Sequence, residues 1–212
     1  MKIKICGITT QEEITALNAC QPDYVGFVFA QSKRMVTSSA AKPLITTLDR
    51  CILSVGVFVD ESADKIIDIV DACGLDLVQL HGAENEETIS ELIKLMNLRN
   101  GKIIQTIKCV PTKDETSILR GIETKADFII FDTFDKTQHG GTGRTANLAL
   151  INKIRPSITK PFFIAGGISP DNLSAIELNP YGIDVSTGVE GENGKKDANL
   201  ITRLIKAAKA VY

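Results

Sequence analysis

Eight short β-prone runs alternate with helix-like segments along this 212-residue chain, and that alternation restricts the fold more than any other feature. The runs cover 2–6, 24–29, 51–59, 75–80, 102–109, 127–132, 161–165 and 182–186. Most are near-continuous in Val, Ile, Leu and Phe, the pattern of parallel strands buried on both faces. Helix patterns fill the gaps. Thr10-Gln11-Glu12-Glu13 has capping-box spacing. Apolar residues recur every three or four positions over 61–73, 84–98 and 197–211. Ser169-Pro170 reads as an N-cap followed by proline at the first helical position. Eight strands and eight helices in strict alternation predict right-handed βα crossovers. They close naturally into a (β/α)8 barrel, the α/β class known as the TIM barrel, and 212 residues is at the compact end for one. A doubly wound open sheet is the competing architecture, but it places a glycine-rich loop after its first strand. Here such loops come late, near positions 140, 166 and 188. No linker or low-complexity tract interrupts the pattern, so one domain over 1–212 is expected.

Composition narrows the class of ligand. A net charge of −2 favours neither nucleic acid nor an anionic membrane, so an anionic ligand must be held by local groups. The expected partner is a small molecule, with the chain a monomer or a homodimer. The five cysteines form no C-x-x-C pair, and two histidines are too few for the usual zinc clusters. No metal and no cofactor are expected. Met1-Lys2-Ile3-Lys4 leads directly into a strand without a signal peptide's apolar region, and no apolar run approaches the roughly 18 residues of a membrane span. These features fit a reducing cytoplasm.

In a (β/α)8 barrel the functional groups gather at the C-terminal ends of the strands. Cys6 ends the first strand, Gln79 and His81 the fourth, and Asp132 the sixth. A thiol at such an end can serve as a base once ionised, although free cysteine often behaves as a small buried hydrophobe. Partial burial of Asp132 is expected to raise its carboxyl pKa and make it an acid; a turn or cap role is the alternative. His81 either acts in the cleft or satisfies neighbouring backbone. Gly166-Gly167 follows the seventh strand, and Ser186-Thr187-Gly188 ends the eighth. Loops at these two positions are the usual phosphate site of the architecture, although tight βα turns would also use glycine. Arg34, after the second strand, either is solvated or holds a carboxylate through its planar fork. Gly140-Gly141-Thr142-Gly143 reads as a flexible loop, and Lys195-Lys196-Asp197 as exposed surface.

A series of segments resembles the phosphoribosylanthranilate isomerase family of tryptophan biosynthesis. They are Lys4-Ile5-Cys6-Gly7-Ile8-Thr9, Gly26-Phe27-Val28-Phe29, Ser32-Lys33-Arg34, Val55-Gly56-Val57-Phe58 and Val78-Gln79-Leu80-His81-Gly82. Asp132-Thr133, Gly140-Gly141-Thr142-Gly143, Gly166-Gly167, Asp184 to Glu190 and Gly194-Lys195-Lys196-Asp197 continue it in the family's order. The resemblance implies a metal-free barrel that performs an Amadori rearrangement, with Cys6 as general base and Asp132 as general acid. It also implies Arg34 as the anthranilate ligand. The candidate substrate-binding set is completed by Gln79, His81, Gly141, Gly166, Gly167, Ser186, Thr187 and Gly188. One departure is clear. After the glycine loop the family commonly reads Lys-x-Phe-Asp-Trp, whereas this chain has Arg144-Thr145-Ala146-Asn147-Leu148, leaving Asn147 as a helix cap in place of a carboxylate.

Overall fold

The computed structural model describes residues 1–98, 104–133 and 147–211. Its eight strands are β1 (Lys2–Cys6), β2 (Tyr24–Val28), β3 (Leu53–Phe58), β4 (Leu77–Leu80), β5 (Gln105–Pro111), β6 (Phe128–Asp132), β7 (Phe162–Ile164) and β8 (Gly182–Val185). They form a closed barrel in sequence order, every neighbouring pair parallel. Each strand overlaps the run expected for it. The helices are α1 (Gln11–Cys20), α2 (Ser38–Thr46), α3 (Ala63–Cys73), α4 (Glu86–Asn97), α5 (Glu115–Gly121), α6 (Leu148–Ile154) and α7 (Ala198–Val211). The capping box forms as read: Thr10 accepts from the Glu13 amide, and the Glu13 carboxylate reaches back to Thr10. Asn147 caps α6 by accepting from Leu150 N at 3.1 Å.

Strict alternation breaks once. Between β7 and β8 the described residues carry only a 3-10 turn at Leu173–Ala175, not the expected α-helix. The reason lies in competing side chains. Asn172 accepts from Ser169 N at 2.9 Å and donates to the Gly167 carbonyl at 2.7 Å, so local side-chain bonds hold the segment in turns. Pro180 and the left-handed Asn179, with φ +46°, then end it.

The pleat sorts each strand into two rows. Outward residues such as Ile3, Ile5, Val25, Phe27, Ile129 and Phe131 pack against the helices in one large apolar cluster. Inward residues form a second cluster of Tyr24, Val55, Leu77, Ile107, Phe128, Ile130, Phe163 and Ala165. Phe163 anchors its lower end: it meets Tyr24 edge-on at 5.6 Å, Tyr181 edge-on at 5.3 Å and Phe128 at 6.0 Å. This plug fills the lower barrel, and the buried polar inward residues Lys4, Gln79, Asp132 and Asp184 lie above it. Truncating it opens a cavity enclosed by a rigid strand ring. Phe163→Ala is therefore expected to cost about 3–5 kcal/mol of stability, read as a fall in the urea midpoint at unchanged slope.

Candidate active site

Several inward rows end at the barrel mouth in a polar group. On β1 the row runs Lys2, Lys4, Cys6; on β4 it is Leu77, Gln79 and then His81; on β6 it is Phe128, Ile130, Asp132. The period of two thus delivers Cys6, Gln79, His81 and Asp132 to one end, as the sequence indicates. Two surface concavities, of about 610 and 690 Å³, lie at the opposite end and contain none of these residues.

His81 and Asp132 form an ion pair, with Nε2 to Oδ2 at 3.3 Å. Cys109 Sγ is 3.7 Å from the same nitrogen, and Gln79 Nε2 is 2.8 Å from Nδ1. Gln79 Oε1 is buried without a partner in that arrangement. Exchanging the amide N and O, whose assignment rests on their hydrogen bonding, gives Oε1 a donor at His81 Nδ1. Both ring nitrogens then donate, as an imidazolium requires. The charges agree. Burial pushes the His81 pKa down, but Cys109 and Asp132 outweigh it and hold the ring well above its ordinary 6.5. Burial pushes Asp132 up, yet His81 and the Thr133 donors pull it below 3.8. Thr133 contributes its N–H at 2.7 Å and its hydroxyl at 3.2 Å. The expected upward shift of Asp132 is thus overturned: the carboxyl is buried, but its partner is a cation. The His81 ring accordingly meets the side chains of Gln79, Cys109 and Asp132 rather than neighbouring backbone. The ligand atoms of His81, Cys109 and Asp132 lie within 4.8 Å of one another, a set that could hold a cation if the ion pair opened.

On the other side, Arg34 lies across Gly7. A Cβ on Gly7 would come within 2.3 Å of Arg34 Cδ, and its φ of +88° suits glycine. Arg34 is anchored rather than free: Nε and Nη2 grip both Glu190 oxygens at 2.8 and 3.1 Å. That grip uses one edge of the guanidinium, and Nη1 has no partner among the described residues. Burial pushes Glu190 up, but Arg34 and Lys196 outweigh it and lower its pKa. Lys196 was expected at the surface. Its side chain is instead 1% exposed, and its Nζ reaches Glu190 at 2.7 Å and Ser186 Oγ at 3.2 Å. A hydrogen bond from the Lys196 backbone N–H to the buried Glu13 carboxylate, at 3.0 Å, draws that stretch inward. Lys195 alone stays outside, on Thr9.

The glycine loops adjoin. Gly166 and Gly167 both take positive φ, +86° and +56°, and a Cβ on Gly188 would lie 1.8 Å from the Ile168 carbonyl. Among the described residues the N–H groups of Gly166, Gly167, Thr187 and Gly188 have no intramolecular acceptor. Successive free amides of this kind suit an anion. Gly141 lies outside the described residues. Missed in the sequence were Lys4, Cys109, Asp184, Glu190 and Lys196. Lys4 and Asp184 carried a signal: a charge in the inward row of a buried strand requires a partner.

The sequence profile of the family described as PRAI, N-(5′-phosphoribosyl)anthranilate (PRA) isomerase, matches residues 3–207. The N-(5′-phosphoribosyl)anthranilate isomerase of Endomicrobium trichonymphae is 39% identical over 212 residues, 99% of each chain. The phosphoribosyl anthranilate isomerase of Thermotoga maritima superposes with a TM-score of 0.85 at 32% identity, again over 99% of each chain. A further isomerase structure, in complex with reduced 1-(o-carboxyphenylamino)-1-deoxyribulose 5-phosphate, gives a TM-score of 0.82 at 32% identity over 99% of each chain.

The His81–Asp132 pair makes stability depend on pH. The raised His81 contributes below its unfolded pKa and loses that contribution as pH climbs through its folded value. The lowered Asp132 contributes above its unfolded pKa and loses it as pH falls through its folded value. The pair is therefore fully engaged between about pH 4 and 6.5. In urea unfolding across pH 5–9, the gap between the native chain and His81→Asn is expected to be widest below about pH 6.5 and to narrow on the alkaline side. A gap constant with pH would contradict the pairing.

Proposed function

The chain belongs to the N-(5′-phosphoribosyl)anthranilate isomerase family, and from this we propose that it converts N-(5-phosphoribosyl)anthranilate to 1-(2-carboxyphenylamino)-1-deoxyribulose 5-phosphate in tryptophan biosynthesis. The observation that carries the reading is the delivery of Cys6 and Asp132 to the same barrel mouth by the inward rows of β1 and β6. We place the substrate phosphate on the amides around Gly166, Gly167, Ser186, Thr187 and Gly188, and its anthranilate carboxylate on the free edge of Arg34. Gln79 and His81 line the side where the sugar ring would lie, and Gly141 is assigned to the substrate by resemblance alone. The working unit is a single catalytic domain in the cytoplasm, monomeric or homodimeric.

The chemistry needs an acid and a base in opposite ionisation states. The His81–Asp132 pair holds one proton at neutral pH, resident on the imidazolium; His81 passes it to the Asp132 carboxylate, which delivers it to the furanose ring oxygen. The C1′–O bond breaks as the anilino nitrogen lone pair forms the C1′=N bond, leaving a protonated Schiff base. The Cys6 thiolate then removes the C2′ proton. Those electrons become the C1′=C2′ bond and the nitrogen regains its lone pair. The enolamine tautomerises to the ketose, with no net electron transfer. Burial of Asp132 beside an imidazolium makes this proton available without an unpaired buried carboxylate.

Anthranilate fluorescence of the substrate provides the assay, since its emission disappears on conversion. Cys6→Ser and Asp132→Asn are each expected to lower kcat by at least about a hundredfold while remaining folded. Near-native turnover in either would remove its assigned role. Arg34→Ala is expected to weaken affinity for a reduced product analogue, and unchanged affinity would refute the carboxylate contact.

A further inference from the structure

A thiol that serves as a base must carry negative charge inside the barrel, and the chain around Cys6 contains a feature suited to that need. Lys4 lies two residues before Cys6 on β1, so both side chains belong to the same inward row. Its side chain is fully buried, and its ammonium meets Asp184 Oδ1 at 2.8 Å. In register, Lys4 stands opposite Asp184 on β8, while Cys6 stands opposite Gly26 on β2. Gly26 has no side chain, and the space it leaves is shared. A Cβ there would lie 2.8 Å from Cys6 Sγ and 3.2 Å from Lys4 Nζ. The lysine thus rises from its own level to that of the thiol, while its carboxylate partner stays below.

We infer that Lys4 is a positioning residue for the base: its buried ammonium, held by Asp184 and admitted by Gly26, stabilises the Cys6 thiolate. This rests on the reading of Cys6 as the base. Burial pushes the Lys4 pKa down, but attraction first to Asp184 and then to Cys6 outweighs it, so the ammonium stays charged. The other charges facing Cys6 are few. Lys196, from the segment before α7, is also attracted to it. Arg34 lies beyond Gly7, with its charge and that of Lys196 tied to Glu190. Among the described residues Asp184 is the carboxylate paired with Lys4 on that inward face, and it opposes the thiolate.

The two partners of the pair therefore act with opposite sign, which separates a charge role from a structural one. Site-resolved alkylation of Cys6 by iodoacetamide, followed by mass spectrometry across pH 5–10, reads the thiolate directly and does not need turnover. Lys4→Met is expected to move the alkylation midpoint up by at least about one pH unit. Asp184→Asn is expected to move it down, and Lys4→Arg to leave it within about half a unit. The acidic limb of kcat/KM should move in the same directions. If Lys4→Met and Asp184→Asn move the midpoint the same way, or neither moves it, the inference fails. Should Lys4→Met not fold, Asp184→Asn decides alone: no downward shift overturns it. Turnover retained in Cys6→Ala alongside the expected alkylation shifts would instead remove Cys6 as the base and leave the Lys4 coupling standing.

Discussion

Pairing of β1 with β8 closes the strand ring and thereby fixes which side chains face the interior and which face the helices. A ring has no edge, so no strand can slip in register without turning its whole inward row outward. The inward row then divides by height. Tyr24, Phe128, Phe163 and Tyr181 fill the lower part with aromatic surface. Above them the closing strands place Lys4 against Asp184, two charges removed from water. Removing one partner from such a pair typically costs about 3–5 kcal/mol, because the other is left buried and unpaired. The pair is thus held in place by the same closure that creates the barrel.

The mouth has two charged clusters built on different principles. Around Asp132 the carboxylate is kept ionised by the half-buried imidazolium of His81, itself set by Gln79 and Cys109. Around Arg34 the guanidinium is fixed by Glu190, which Lys196 also holds. Cys6 lies between Lys4 and Lys196 in charge terms. Both groups thus face cations that favour their anionic forms, but the cation beside Asp132 is an imidazolium, which carries a proton the carboxylate can relay, whereas those near Cys6 are lysines. Rigid strands and packed inward rows place these groups, and little of the arrangement depends on long loops.

Much of this was legible in the residues. Continuous apolar runs marked the strands because parallel strands are covered on both faces, and the period of two placed Cys6, Gln79 and Asp132 at one end. The Thr10–Glu13 box was legible because capping is local. The misreadings share one cause. Burial of Asp132 suggested a raised pKa, but a histidine fifty-one positions away in sequence reversed the sign. Lys196 resembled a surface lysine until Glu190, Ser186 and Glu13 drew its segment inward. Ser169-Pro170 looked like a helix start, yet Asn172 bonds back to Ser169 and to Gly167 before it and ties the segment into turns.

The sequence by itself determined the number and order of the strands, the strand ends at which polar groups gather and the residues available for acid–base chemistry. These follow from local sterics and from hydrophobic spacing, which act within a few positions along the chain. Only the tertiary structure decided the charge states: which carboxylate meets a cation, which lysine is buried, and which glycine makes room for a neighbour. Those depend on distances between residues as much as 180 positions apart in sequence, and electrostatic energy inside a closed barrel is set by such distances and by the exclusion of water.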